Sequence, residues 1–272
     1  AQVRRSDAPV PAACQSLSTL LTNTSQAVSF YGSRLTHYGD GASKMTALLE
    51  EIEKARDHIH ILYYIFCDDE TGARLQQALI RKAKEGVKVR VLYDDVGCNG
   101  VKKEFFQQMR DAGAEVHALL HVRFPMLTDR VNYRNHRKIV VIDGTVAYTG
   151  GVNLADEYIN AEQRFGYWKD AALRIEGDAA WSFTVMFLNF WNAFRPSETD
   201  YSAFRPQHSA HPVQDGIVQP YADSPLDEEP VAETIYLNIL AQAQRYVYIY
   251  TPYLAIGEEM LDALRNAAKR GA

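Results

Sequence analysis

The stretch Asn132–Asn153, NYRNHRKIVVIDGTVAYTGGVN, decides how the rest of the chain is read. At its centre Asp143-Gly144 separates two apolar runs, Ile139–Ile142 and Val146–Thr149. An Asp-Gly pair flanked in this way is the strongest short-range signal for a β-hairpin, with glycine taking the φ > 0 position. The spacing predicts two antiparallel strands, so the sheet that holds them is mixed rather than purely parallel. His136 and Lys138 stand two apart on the first predicted strand, which places both side chains on one face. Asp143 completes the string HxKxxxxD and so counts among the candidate catalytic residues, but it has the opposite parity and begins the turn. A regular strand points it away from His136, toward capping the hairpin or pairing behind the sheet.

An imidazole next to an ammonium suits a phosphate. The lysine neutralises phosphoryl oxygens, and the imidazole can serve as nucleophile or as general acid near neutral pH. The return strand delivers Gly150-Gly151-Val152-Asn153. Paired glycines allow a ligand close to the backbone, and Asn153 offers an amide donor, so Gly151, Asn153 and Lys138 are the candidate phosphate-binding residues. A reacting histidine also needs its second nitrogen held by an acceptor. Asp170, in Trp168-Lys169-Asp170, is the candidate for that orienting role, with Glu157 behind it. HxK alone occurs by chance and Gly-Gly alone is usually a turn. The ordered combination, with six residues between Asp143 and Gly150, is far more specific.

Upstream, Met45, Leu48, Leu49 and Ile52 repeat at helical spacing, and His58–Phe66 follows as a β-rich run. A second helical stripe (Leu75, Ala78, Leu79, Ala83) stops at Gly86, and Val87, Val89, Val91 and Tyr93 alternate along a strand that ends at Asp94-Asp95. A third helix over about 102–112 and a strand over about 115–120 complete the alternation, which indicates an α/β sandwich with crossover connections. Downstream, Ala171–Ile175 reads as a strand and Ala179–Phe194 as a buried helix. Residues 1–39 are rich in Ser, Thr, Pro and Gly and read as an irregular lead-in, with one short helix around Leu17–Leu21. Residues 196–232, with several prolines and an acidic stretch, read as a linker.

Patterns after the linker repeat earlier ones. Ala243–Ile249 matches Ala55–Ile61 at an offset of 188, and Leu264–Gly271 matches Leu79–Gly86 at an offset of 185. Residues 233–272 are therefore expected to start a second repeat, whose own histidine would fall near position 321, past Ala272. The chain does not begin with Met, so the gene product is expected to start upstream.

The net charge of −5 argues that the protein as a whole is built neither for nucleic acid nor for anionic membranes, and leaves any anion site to local clustering. One such cluster lies between His117 and Lys138, where Arg123, Arg130, Arg134, Arg137 and Lys138 face only Asp129, around the apolar Phe124-Pro125-Met126-Leu127. That pattern fits an interfacial loop or a surface loop packed on the core. No apolar run approaches the ~18 residues that span a bilayer. The three cysteines, Cys14, Cys67 and Cys98, are odd in number and scattered, which fits a reducing compartment and gives no metal site.

On NYRNHRKIVVIDG…GGVNLADEY and the Trp-x-Asp and Arg-Ile-Glu-Gly that follow, the sequence resembles the phospholipase D superfamily, and within it the bacterial cardiolipin synthases. The resemblance runs from about Asp40 to Ala272. It implies a phospholipase D-like α/β/α sandwich with a mixed sheet, in which 40–195 is one complete repeat and 233–272 the start of another. It also implies transfer of a phosphatidyl group between two phosphatidylglycerol molecules through a phosphohistidine, releasing glycerol and requiring no cofactor or metal. The partners would be anionic phospholipid at the bacterial inner membrane and a second histidine motif, from the same protein or from a second copy of the chain. Phosphodiesterase or nuclease activity as a homodimer, and an inactive phosphate- or lipid-binding fragment, are the other readings.

Overall fold

The computed structural model describes residues 10–120, 134–164, 166–197, 200–206, 216–224 and 229–272. In chain order the elements are α1 (Gln15–Ser25), β1 (Phe30–Tyr31), β2 (Arg34–Tyr38), α2 (Gly41–Lys54), β3 (His58–Tyr63), α3 (Glu70–Lys84), β4 (Lys88–Asp94), α4 (Lys103–Asp111) and β5 (Glu115–Leu119). Then follow β6 (Ile139–Ile142), β7 (Val146–Gly150), β8 (Ala172–Glu176), α5 (Ala180–Phe194), β9 (Ile217–Val218), α6 (Val231–Gln242) and α7 (Glu258–Lys269). They fall into two compact units, one over 30–218 and the other made of the described residues before 30 together with 219–272.

The first unit is built on a seven-stranded sheet of order β2-β8-β7-β6-β3-β4-β5. β3, β4 and β5 are parallel to one another, whereas the pairs β3–β6, β6–β7, β7–β8 and β8–β2 are antiparallel. The sheet is mixed because Asp143-Gly144 turns β6 back as β7, with both residues at positive φ (50° and 67°), the conformation of a tight primed turn. β3 sits in the middle and all six of its residues are buried. Its odd-numbered side chains, Ile59, Ile61 and Tyr63, join Val89, Val91, Val140 and Ile142 beneath α2, α3 and α4. Its even-numbered histidines lie on the opposite face, where His60 stacks on Phe187 of α5 with ring centroids 4.4 Å apart. Helices thus cover both faces, giving the expected α/β/α sandwich.

Two stretches depart from the sequence reading. Part of the expected lead-in is regular: it contains α1 and also β2, which forms the edge of the large sheet by pairing with β8. An edge strand is held by its backbone ladder and needs little burial, so Arg34–Tyr38 carries no strong apolar period. The expected linker likewise contains β9, paired with β1, and a short turn that buries Tyr201 and Phe204.

In the second unit, Leu21 and Ala27 pack on Val231 and Ile235, and Gln219 Nε2 donates to the carbonyls of Ser18 and Ala27 at 3.2 Å. Tyr246–Ile249, which the repeat aligns with the start of β3, belongs to no ladder among the described residues. Tyr248 and Tyr250 are 80% and 92% exposed. A strand needs a neighbour, and among the described residues none pairs with this segment.

Candidate active site

The motif residues gather at one edge of the large sheet, where β3 and β4 end, β6 begins and β7 gives way to its loop. His136 and Lys138 are not on the strand itself. The ladder begins at Ile139, and the two residues lie in the segment that leads into it. They are brought together instead by Tyr64, just past the end of β3. Its ring centroid is 4.9 Å from that of His136, and the Lys138 ammonium stands 5.6 Å from the same centroid. Lys138 is buried, and its Nζ donates to the His136 carbonyl at 2.7 Å.

The electrostatics of the pair follow from burial and from the charges around it. Desolvation is the main cause that lowers the His136 pKa; the Lys138 ammonium lowers it further, while Asp170 and Asp94 act in the opposite direction. The imidazole is thereby favoured in its neutral form, which a nucleophile requires. Burial pushes the Lys138 ammonium down to about 8, opposed by Asp170, and at neutral pH most of it stays charged.

Asp170 takes no hydrogen bond from His136. Its Oδ2 accepts from Trp168 Nε1 at 3.2 Å and its Oδ1 from the Ala171 amide at 2.8 Å, so it acts on His136 and Lys138 through charge. Gly151 is where it is because of this carboxylate: a Cβ there would come within 2.1 Å of Asp170 Oδ1. The space above Gly151, expected from the sequence to admit a ligand, is filled by the Asp170 side chain. A Cβ on Gly150 would likewise meet the Ala171 carbonyl at 2.4 Å. Asn153 is buried, and its Oδ1 accepts from the Ile65 amide at 3.3 Å, which leaves Nδ2 as a donor. Glu157 is engaged by Arg164 at 3.2 Å rather than by His136.

Asp143 is not at this edge. It lies past the far end of β6, where its carboxylate accepts from the amides of Arg56, Asp57 and His58, each at 2.9 Å. It ties the hairpin to the start of β3, in agreement with its parity and against its inclusion among the catalytic residues. The apolar loop Phe124–Leu127 and the basic residues Arg123 and Arg130 fall outside the described residues.

Two residues near the site, Lys44 and Asp94, were not singled out from the sequence, and a third, Arg134, figured there only as one of a basic cluster. Lys44 on α2 is fully buried, its Nζ donates to Tyr63 Oη at 2.8 Å, and burial brings its ammonium down to about 7 while Asp170 opposes the fall. Its signal was present, since Lys44 occupies the same helical stripe as Leu48 and Ile52. Asp94, the last residue of β4, is completely buried and ion-paired with Arg134 at 2.6 Å. Among the described residues, no group of His, Cys, Asp and Glu side chains could hold a metal ion, and no helix is long and apolar enough to cross a membrane.

His58 and His60 do not belong to the site. They sit 4.7 Å apart beneath α5 among Phe187 and Phe204, and three of their ring nitrogens have no hydrogen-bond partner. Burial brings His58 down to about 4 and His60 well below its usual value.

Residues 48–168 match a family described as cardiolipin synthase, PLD-like domain. The chain is 40% identical over 234 residues to the major cardiolipin synthase of Bacillus subtilis, covering 85% of this chain and 48% of that protein. It is 39% identical over 233 residues to a cardiolipin synthase of Listeria monocytogenes, again 85% of this chain and 48% of the relative. An uncharacterized protein of Streptococcus mutans is 39% identical over 243 residues, 89% of this chain and 52% of its own length. The chain therefore spans about half the length of the curated relatives it matches. Among solved structures, phosphatidylserine synthase from Haemophilus influenzae shares the fold with a TM-score of 0.66 at 16% identity, covering 95% of this chain and 64% of that one.

Proposed function

Because the chain belongs to the phospholipase D superfamily, among its cardiolipin synthases, we propose that it supplies the first half of a phosphatidyltransferase acting on anionic phospholipid at a membrane surface. The observation that carries the reading is the convergence of His136, Lys138, Asn153 and Asp170 on one sheet edge, in a chain about 40% identical to cardiolipin synthases over 85% of its length.

The reaction takes one phosphatidylglycerol as donor and another as acceptor. One histidine attacks the donor phosphorus and forms a phosphohistidine, while a second histidine gives its proton to the departing glycerol. The second histidine then removes the proton from a hydroxyl of the acceptor, whose oxygen attacks phosphorus and releases the first histidine. Two phosphatidylglycerols thus become one cardiolipin and one glycerol. His136 is one of these two histidines. Lys138 and the Asn153 amide balance the charge that develops on the phosphoryl oxygens, and Asp170 keeps Lys138 protonated while it does so. The other histidine comes from a second repeat or a second copy, and the relatives, about twice as long, have room for one.

The test uses the full-length protein with vesicles containing labelled phosphatidylglycerol. Cardiolipin and free glycerol are expected in equal amounts, and His136→Ala should abolish both. Cleavage of nucleic acid without a lipid product, or full activity in His136→Ala, would refute the proposal.

A further inference from the structure

The segment 134–138 carries the reacting histidine, yet it lies outside the ladder that fixes β6. Something other than sheet pairing must hold it. The side chains that do so can be traced one by one. Lys138 Nζ bonds to the His136 carbonyl, and Asn135, 6% exposed, accepts from the Arg137 amide at 3.2 Å. Lys138 also stands 5.6 Å from the Tyr64 ring centroid and the Arg137 guanidinium 4.6 Å from that of Phe190, but Arg134 makes the hydrogen bonds that tie the segment to β4 and β5. Its Nε and Nη2 donate to Asp94 Oδ1 at 3.0 and 2.6 Å, and its Nη1 donates to the Leu120 carbonyl at 3.0 Å. One guanidinium thus joins the ends of β4 and β5 to the chain two residues before His136.

Asp94 is built to receive it. The residue is 0% exposed, and an unpaired carboxylate so placed would cost several kcal/mol. Its Oδ1 also accepts from the Val96 and Gly97 amides, both at 3.0 Å, which fixes the carboxylate before Arg134 arrives. Its Oδ2 is equally buried and has no hydrogen-bond partner among the described residues.

We propose that Asp94 and Arg134 form a positioning pair that sets the place and orientation of His136 for phosphoryl transfer. The pair touches no reacting atom. It acts by fixing the backbone of the histidine segment and by adding a second negative charge that, with Asp170, faces His136 against the Lys138 ammonium. The Tyr64 ring is a further contact of the imidazole, with centroids 4.9 Å apart. The inference rests on the phosphatidyltransferase reading for its activity measurement, but not for its spectroscopic one.

The experiment compares Asp94→Asn, Arg134→Lys and Asp94→Asn with Arg134→Gln in the full-length enzyme. A misplacement of about 1 Å at a reacting group costs on the order of 100-fold in rate. Asp94→Asn is expected to lower kcat by about that factor with KM changed less than about two-fold. It is also expected to shift the His136 titration midpoint, followed by the NMR signal of its ring C–H, to lower pH. The double variant should lose no more than Asp94→Asn, because the residues act as one unit. Arg134→Lys keeps the charge but loses the two-pronged grip, so kcat should fall while the midpoint stays, which preserves the test if Asp94→Asn fails to fold. An unchanged kcat per folded molecule in both single variants would overturn the proposal, as would an unmoved midpoint in Asp94→Asn. If His136→Ala keeps its activity, the functional reading fails, and the shift of the His136 signal still decides whether the pair positions it.

Discussion

Asp143 offers the sharpest test of the distinction between chemistry and support within the motif. Its carboxylate holds three backbone amides at 2.9 Å, two on Oδ1 (Asp57 and His58) and one on Oδ2 (Arg56), and its own backbone sits at φ +50°. A hydrogen bond to a charged acceptor contributes about 1.5–3 kcal/mol. The Arg56 and Asp57 amides can turn to water when released, so their bonds fall at or below the low end. Asp143→Ala loses all three and also places a Cβ residue without a polar side chain in the left-handed region, at a further cost of about 1 kcal/mol. Together these amount to roughly 3–5 kcal/mol. At about 2–4 °C per kcal/mol, the melting temperature should drop by roughly 10 °C. Asp143→Asn keeps the oxygen that serves Asp57 and His58, and asparagine tolerates the backbone, so the cost should be nearer 1–2 kcal/mol. The assay pairs thermal melts of this chain by circular dichroism with phosphatidyl transfer by the full-length protein, measured well below the melt. Asp143→Asn should keep kcat within about three-fold, since the residue supports no transition-state charge. If its kcat falls a thousand-fold or so with no change in melting temperature, Asp143 takes part in the chemistry and the reasoning is wrong.

Other expectations follow from the same geometry. Gly151→Ala drives a methyl group into the place of Asp170 Oδ1, so transfer should fall about 100-fold while the circular dichroism spectrum is retained; wild-type activity would show that Asp170 can move without consequence. His58 and His60, depressed by burial, stabilise the fold fully above the unfolded pKa of about 6.5, and that stability is lost as pH falls toward 4. For His58 alone the loss at pH 5 is about 2 kcal/mol, so urea midpoints should drop between pH 7.5 and 5.0, and an equal drop in a His58→Leu, His60→Leu variant would refute the assignment. Lys44→Met replaces a buried ammonium with an apolar side chain of similar length, and should leave the melting temperature at pH 6 unchanged or higher; a loss of more than about 3 kcal/mol would mean that the charge itself holds the fold.

What could be read from the sequence depended on whether the signal was local. The hairpin, the α2 stripe and the central strands announce themselves because apolar period and turn chemistry lie within a few adjacent residues. The parity of Asp143 correctly separated it from His136, although its amide partners are more than eighty residues away in sequence. The same parity reasoning placed His136 and Lys138 on a strand that begins only at Ile139, so their proximity comes from Tyr64 and a backbone carbonyl instead. Gly151 was legible as a glycine that must stay glycine, but not as one that makes room for Asp170. Lys44 and Asp94 escaped notice because each looks ordinary in its own stretch, and Arg134 was legible only as one charge of a basic cluster, not as the partner of Asp94. Only the sheet brings the end of β4 beside a residue forty positions later.

The unladdered segment from Tyr246 to Tyr250 bears on how this chain would behave in a test tube. Its tyrosines and Ile249 are more than half exposed, and its backbone amides and carbonyls form no ladder among the described residues. Such a ribbon is adhesive: it is rich in strand-forming side chains and low in charge, with Arg245 as the nearby gatekeeper. Concentrated samples should therefore clump through this ribbon before any part of the large sheet unfolds. A single lysine in place of Tyr248 would be the economical remedy, because it introduces a charge into the ribbon while leaving the motif-bearing unit as it is.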